Sequence, residues 1–331
     1  VMPLRKLNRL IALNALKNFD ITKNLPLNTL FRLNEKKNKI DINDLGYLIG
    51  PILNAGGRLG KSQYATELLS SNNDLVVNDR SKSLIKLNDK RKEIENLILE
   101  EIDFKKIEKE NKDVIIYYNP NINEGLIGII AARLKDYFNK PSFVITASNE
   151  LLKGSARSIY NYNIGRVIKN SLDKNIIIKG GGHNMAAGFT LDKVNLKDFE
   201  NYILEDFFKS NISHDNIFSY ESEVSSLALN QDFYEDLKKL EPFGTGNPVP
   251  TFMLRDLRII KPIVLNNKHI SVILKSKTGL LIKSISFNSI NTKIGEHLIN
   301  YKDTLNIIGQ INENLWNNKK TLQLTIRDLI L

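Results

Sequence analysis

Three short segments join glycine to cationic or hydroxyl side chains. They are Asn54-Ala55-Gly56-Gly57-Arg58-Leu59-Gly60, Lys153-Gly154-Ser155-Ala156-Arg157-Ser158 and Gly180-Gly181-Gly182-His183-Asn184-Met185-Ala186-Ala187-Gly188. Glycine lets a backbone approach an anion closely, with its N–H groups turned toward the oxygens. An arginine fork matches two oxygens of one phosphate, and serine and histidine add directional donors. Three such segments brought together would make a phosphate or nucleotide pocket. Taken singly, each reads equally well as a structural turn, His183 as a half-core residue and Ala186-Ala187-Gly188 as close backbone packing.

Other chemistry is sparse. The four histidines, His183, His214, His269 and His297, are far apart, with no His-x-x-x-His pair. Asp41 and Asp44 read as caps in a polar loop, and Lys90-Arg91-Lys92 as a solvated helix face. No Gly-x-x-x-x-Gly-Lys-Ser/Thr, Gly-x-Ser-x-Gly or strand-borne Gly-x-Gly-x-x-Gly occurs. The absence of cysteine excludes disulfides, thiol nucleophiles and Cys-ligated metals, and fits a reducing compartment.

The elements that must position these segments follow from periodicity. The 331 residues are enough for two or three domains, and 42% hydrophobic residues are enough for real cores. No apolar run approaches the ~18–20 residues of a membrane span. Leu7, Leu10, Leu13 and Leu16 predict a helix over 5–18, and residues 50–60 read as a glycine-rich loop followed by a short helix near 62–70. Leu84, Leu87, Ile94, Leu97, Ile98 and Ile102 predict one long charged helix from 75 to about 112. Strands over 113–119, 142–147 and 153–158 alternate with helices over 125–138, 164–172 and 196–208, the pattern of a small α/β domain. After a helix over 231–240 and the turn-rich Pro242-Phe243-Gly244-Thr245-Gly246-Asn247-Pro248, strands such as 269–275 and 321–326 alternate with period two, as in a small OB-like barrel.

Net charge is +10, which suits an anionic partner. The 41 asparagines, with abundant Lys and Ile, equally suit the codon bias of an AT-rich genome. Residues 213–331 carry 14 basic and 12 acidic groups, so most of the excess lies upstream. From the residues alone this is an anion-binding α/β protein with a β-barrel appendix and no complete catalytic apparatus.

In this order and spacing the segments resemble the RecJ family of single-stranded-DNA-specific 5′→3′ exonucleases, members of the Asp-His-His (DHH) phosphoesterase superfamily. Asn54 to Gly60 is similar to that family's Asn-Ala-Ala-Gly-Arg-Leu-Gly stretch at the end of the catalytic domain, with Gly56 replacing Ala. Asn123-Glu124-Gly125-Leu126-Ile127-Gly128 through Leu134 resembles the first helix of the DHH-associated domain, and the Arg157 and His183 segments resemble that domain's phosphate-side motifs. Leu240-Glu241-Pro242-Phe243-Gly244-Thr245-Gly246-Asn247-Pro248 resembles the entry to the family's OB-like domain.

The resemblance implies an α/β fold in four parts: residues 1–73 as the trailing part of a DHH catalytic domain, 74–112 as a connecting helix, 113–212 as the DHH-associated domain and 213–331 as an OB-like β-barrel. It implies Mn²⁺- or Mg²⁺-assisted hydrolysis of single-stranded DNA in repair and recombination, in the cytoplasm and away from membranes, with DNA-repair proteins as further partners. Phosphate-binding roles would fall on Arg58, Ser155, Arg157, Ser158, Gly181, Gly182 and His183. The family's metal motifs are absent, and Val1-Met2-Pro3-Leu4 resembles the segment that follows its last metal-binding Asp. The expectation is therefore a C-terminal portion, inactive alone, whose first helix exposes its leucines. Alternatives are a non-catalytic fragment that binds single-stranded nucleic acid and a phosphodiesterase for short oligonucleotides or cyclic dinucleotides. The near-neutral charge of residues 213–331 implies a modest share of binding for the barrel.

Overall fold

A computed structural model describes residues 3–36, 40–212, 219–290, 292–316 and 319–331; Val1, Met2 and His214, named above, lie outside them. The chain divides into two compact units, Asp20–His214 and a second made of Val1–Phe19 with Asp215–Leu331. Helix α1 (Lys6–Asn18) belongs to the second unit and buries none of its residues. Leu7, Leu10, Ile11 and Leu13 are exposed on it. It is tied down by polar contacts instead. The Leu4 N–H donates to the Thr245 carbonyl at 2.6 Å, Arg5 Nε to the Gly246 carbonyl at 3.0 Å, and Arg9 Nη2 to the Glu241 carbonyl at 2.9 Å.

The first unit opens with α2 (Leu25–Leu33), α3 (Gly50–Arg58), α4 (Gln63–Ser70) and α5 (Asp74–Glu101). Leu30, Ile52, Leu68 and Leu84 are sealed among them. The loop expected over 50–60 is mostly helix. Pro51 sits in its first turn, where a missing N–H costs nothing. Gly56 allows close packing, because a Cβ there would lie 2.5 Å from the Lys61 carbonyl oxygen and 3.2 Å from Leu84 Cδ2. The single helix expected from 75 to about 112 also differs. It stops at Glu101, and α6 (Phe104–Glu110) restarts behind Asp103, whose carboxylate accepts the Lys106 N–H at 2.9 Å. Two polar expectations are corrected as well. Asp44 is buried, exchanging hydrogen bonds with Asp41 and meeting Lys36 Nζ at 3.0 Å. Arg91, expected on a solvated face, has a side chain only 12% exposed.

Strands β1 (Ile115–Tyr118), β2 (Ser142–Ser148), β3 (Leu151–Arg157), β4 (Lys179–His183) and β5 (Ala186–Asp192) form a sheet of order β1-β2-β3-β5-β4. Only β1–β2 is parallel. Helix α7 (Ile127–Phe138) covers one face with Leu126, Ile130 and Leu134 against Ile115 and Val144. Helices α8 (Ile164–Asp173) and α9 (Leu196–Lys209) cover the other, over Phe143, Phe189 and Phe199. Period two in β3 sends Leu152 and Ala156 into the α8/α9 core. Lys153, Ser155 and Arg157 therefore project to the α7 side.

In the second unit β6 (Ser222–Glu223) and α10 (Gln231–Lys238) precede β7 (Phe252–Leu265), β8 (His269–Lys275) and β9 (Leu281–Ser286). Helix α11 (Lys293–Asn300), β10 (Thr304–Trp316) and β11 (Lys319–Ile330) follow. The strands close in the order β7-β8-β9-β11-β10-β7, a five-stranded OB-like barrel around Leu254, Ile270, Val272, Leu274, Ile307 and Leu324. Closure gives each of the five strands a neighbour on both sides over part of its length, β9 and β11 meeting through only two residue pairs, and the short β6 pairs alongside β7.

Asparagine does local work throughout. Asn24, Asn73, Asn163 and Asn230 cap α2, α5, α8 and α10 through their side chains. Among the described residues, nine of the twelve non-glycine positions with positive φ are Asn, the side chain best suited to that region after glycine. Asn175, at φ 57° just beyond α8, makes this testable. Asn175→Ala is expected to lower stability by about 1–2 kcal/mol, and Asn175→Gly to leave it nearly unchanged, both read by urea unfolding.

Candidate phosphate-binding site

Arg58 is the last residue of α3, and its Nη1 donates to the Gly125 carbonyl at 3.1 Å. The approach is so close that any side chain at position 125 would collide with the Arg58 backbone. One helical turn later, a Cβ on Gly128 would stand 3.0 Å from Arg157 Nη2 and 3.1 Å from Ser155 Oγ. The start of α7 thus gathers Arg58, Ser155 and Arg157 into one place. Arg157 Nη1 also donates to Ser155 Oγ at 3.1 Å and to the Ala156 carbonyl at 2.9 Å, so the guanidinium is fixed along its own strand.

Both arginines are half-buried, and among the described residues neither forms an ion pair. Burial lowers the pKa of each below the ordinary guanidinium value. The Arg58 charge depresses Arg157 further, and Arg91 does the same to Arg58 while Glu95 opposes it. Two like charges held together out of water form a strained arrangement that an anion relieves. The first turn of α7 contains no acidic residue, and Leu126 at its cap offers no side-chain acceptor, so the positive end of the helix is uncompensated. Glu124, just before that turn, is engaged by Lys153 Nζ at 2.6 Å.

The third glycine segment reaches the same face by sheet register. Arg157 pairs with Ala186, and Ala186 with His183; Ser155 pairs with Gly188, and Gly188 with Gly181. Residues in one cross-strand row share a face, so Arg157 and His183 stand on the same side, roughly 10 Å apart across two strand spacings. Between them Ser155, Ala186, Gly188 and Gly181 make a floor of small residues, and the space above Gly181 is open. The Gly180–His183 part of this segment is a strand rather than a turn. It is one of the sheet's two outer strands, so among the described residues its second row of backbone groups has no strand partner.

Two of the residues singled out from sequence have other surroundings. Ser158 is 1% exposed, and its Oγ donates to the Tyr162 carbonyl at 2.6 Å, closing the loop that leads into α8. Gly182 is confined by Ala187 and by α8, whose Gly165 would, with a Cβ, come within 3.0 Å of the Gly182 and His183 backbones. Its glycine is required for packing. Gly125, Gly128 and Gly165 were not identified from the sequence as site-shaping residues. The first two lie within the Asn-Glu-Gly-Leu-Ile-Gly stretch, and only the three-dimensional approach shows what they make room for.

A five-stranded sheet with an arginine–serine row and a glycine–histidine edge, in a chain that also forms a closed OB-like barrel, defines the class. Residues 111–210 match the DHHA1 domain and residues 220–328 the RecJ OB domain. The chain is 33% identical over 299 residues to the single-stranded-DNA-specific exonuclease RecJ of Haemophilus influenzae, covering 86% of this chain and 51% of that protein. It is 28% identical to the Bacillus subtilis protein of the same name, covering 99% of this chain and 42% of the relative. The crystal structure of Thermus thermophilus RecJ in complex with Mg²⁺ superimposes on all of this chain and half of its own, with a TM-score of 0.80 at 21% identity. The chain carries a DHHA1 domain followed by a RecJ OB domain, and it spans about half the length of the curated relatives it matches.

A second Thermus thermophilus RecJ structure contains Mn²⁺. Among the described residues here, no group of three or more His, Cys, Asp or Glu could hold a metal ion. Asp41 and Asp44, a neighbouring acidic pair, are already committed to each other and to Lys36. This donor set does not fit such a cation. Among the described residues, no helix is long and apolar enough to cross a membrane.

Gly128 offers a direct check of convergence. Gly128→Val would push its side chain into Arg157 and Ser155. We expect it to weaken binding of a 5′-phosphorylated oligothymidylate by about tenfold or more, read by fluorescence anisotropy, with the far-UV spectrum unchanged.

Proposed function

We propose that this chain is the phosphate-gripping and strand-holding portion of a RecJ-type 5′→3′ exonuclease, acting on single-stranded DNA during repair and recombination in the cytoplasm. The observation that carries the proposal is the pair of carboxylate-free arginines, Arg58 and Arg157, set together beside Ser155 at the bare start of α7. In this reading Arg58 and Arg157 clamp phosphate oxygens, the Ser155 hydroxyl donates to the same group, and His183 with the outer backbone of Gly181 and Gly182 holds a neighbouring phosphate. Residues 1–73, 74–112, 113–212 and 213–331 would correspond to the catalytic-domain tail, connector, DHH-associated domain and OB-like domain. Mn²⁺ or Mg²⁺ would supply the activated water, held by ligands outside the residues described here.

The barrel takes a larger share in this reading than its net charge implies. Strands β8 and β9 contain no acidic residue. Register places Lys261, Ile273 and Lys283 in one outward row, Ile263 beside Ser271 in the next (where Ile285 completes the row but is buried), and Arg258 with Lys275 and Leu281 in a third. Exposed Phe287 meets His269 edge-on, with ring centroids 5.3 Å apart, at the end of this face. Cations interleaved with apolar and aromatic side chains suit a single strand, whose phosphates and bases they meet in turn.

Two measurements test the proposal. Arg157→Ala should weaken binding of the phosphorylated oligothymidylate by about 10–100-fold, the weight of a charge-assisted hydrogen-bond pair. Changing Lys261, Lys275 and Lys283 together to Ala should flatten the slope of log affinity against log salt by about 2. Salt-insensitive binding would sink the nucleic-acid reading. The donor set favours a second reading, binding without turnover by these 331 residues alone. In Mn²⁺ buffer the chain should then leave single-stranded DNA intact, and release of mononucleotides would refute that part.

A further inference from the structure

Glu95 lies on α5 with its side chain 6% exposed and both carboxylate oxygens occupied. Arg91 Nη1 donates to Oε2 at 2.7 Å, and Arg133 Nε, from α7, donates to Oε1 at 2.7 Å. Arg91 Nε is held in turn by Asn88 Oδ1 at 3.2 Å. Arg133 stands five residues beyond Gly128 on α7, about 7.5 Å along the axis. Helix α3, which ends at Arg58, lies close on α5, where a Cβ on Gly56 would stand 3.2 Å from Leu84 Cδ2. Resting on the phosphate reading above, we propose that Glu95 is a positioning residue of this site: by locking Arg133 of α7 to Arg91 of α5, its carboxylate sets the separation and aim of Arg58 and Arg157.

The geometry supports more than a local ion pair. Arg58 and Arg157 come from elements far apart in sequence, and the start of α7 is what joins them, through Gly125 and Gly128. A shift of α7 along α5 would move Gly128 away from Arg157 and the Gly125 carbonyl away from Arg58 together. Glu95 opposes that shift from inside the interface. It also engages Arg91 and Arg133, which leaves Arg58 and Arg157 as the neighbouring arginines with no carboxylate partner among the described residues. The Arg58 guanidinium feels both groups, Arg91 lowering its pKa and Glu95 raising it, so the bridge and the site share one field.

The sign of a single substitution separates this role from that of a bystander charge. Glu95→Gln removes a negative group near an anion site, so electrostatics alone would tighten anion binding. A positioning role requires the opposite. The probe is a 5′-phosphorylated oligothymidylate titrated into the full chain, with fluorescence anisotropy as readout. Glu95→Gln is expected to weaken binding about tenfold or more with an unchanged salt slope, and Glu95→Asp to restore part of the loss. Arg133→Gln, at a side chain 55% exposed and so tolerant of change, should weaken binding in the same direction. The double variant should be no weaker than Glu95→Gln alone. Tighter or unchanged binding by folded Glu95→Gln overturns the proposal; if that variant does not fold, unchanged binding by Arg133→Gln overturns it. Arg157→Ala run alongside distinguishes the underlying reading, because no loss there removes the phosphate site itself.

Discussion

The start of α7 organises the site in the first unit. It meets Arg58 at Gly125 and Arg157 at Gly128, both arginines are half-buried, neither forms an ion pair among the described residues, and the Arg58 charge bears on Arg157. Such a pair persists only where packing holds both elements against the repulsion. Helices α3, α5 and α7 provide that hold, with glycine at each point where backbone must pass close to backbone or to the guanidinium groups. The Arg91–Glu95–Arg133 bridge carries the opposite logic: a buried carboxylate whose two oxygens are both taken by hydrogen bonds within the bridge.

Much of this was legible in the sequence, for physical reasons that differ by element. Period two placed strands over 269–275 and 321–326 because one face of each must enter a core, whereas 142–147 is a largely apolar run buried on both faces. Helical spacing located α7, α8 and α9 for the same reason. Glycine was misread where it served packing. Residues 50–58 form a helix because Pro51 tolerates a first turn and Gly56 is needed against Lys61 and Leu84. Within the strand Gly180–Gly182, Ile168 and Ile177 leave no room for a side chain at Gly180 and Ala187 leaves none at Gly182, while Gly181 faces open space. At Arg91 the sequence shows both the Lys-Arg-Lys run and Glu95 one turn on, but not that Arg133 of α7 meets this carboxylate and buries it, which draws Arg91 inward.

Asparagine shows how one composition supports two explanations. Its abundance fits codon bias, yet the structure employs it at caps and at left-handed turns, where other side chains are strained. The barrel shows the same for charge. A sum near zero over residues 213–331 hides a sorting in which acids avoid β8 and β9 while lysines line their outer face. Net charge is a poor guide to a surface whose signs are segregated.

The outer strand of the five-stranded sheet has a last consequence. Gly180, Gly181 and Gly182 give β4 little intrinsic preference for extended backbone, and only β5 pairs with it. Its amides are therefore the least protected of that sheet and the first to exchange with solvent. An anion seated against the open edge of β4 would add the missing acceptors, so occupancy would register as local stiffening of this strand while the buried strands beside it stayed silent.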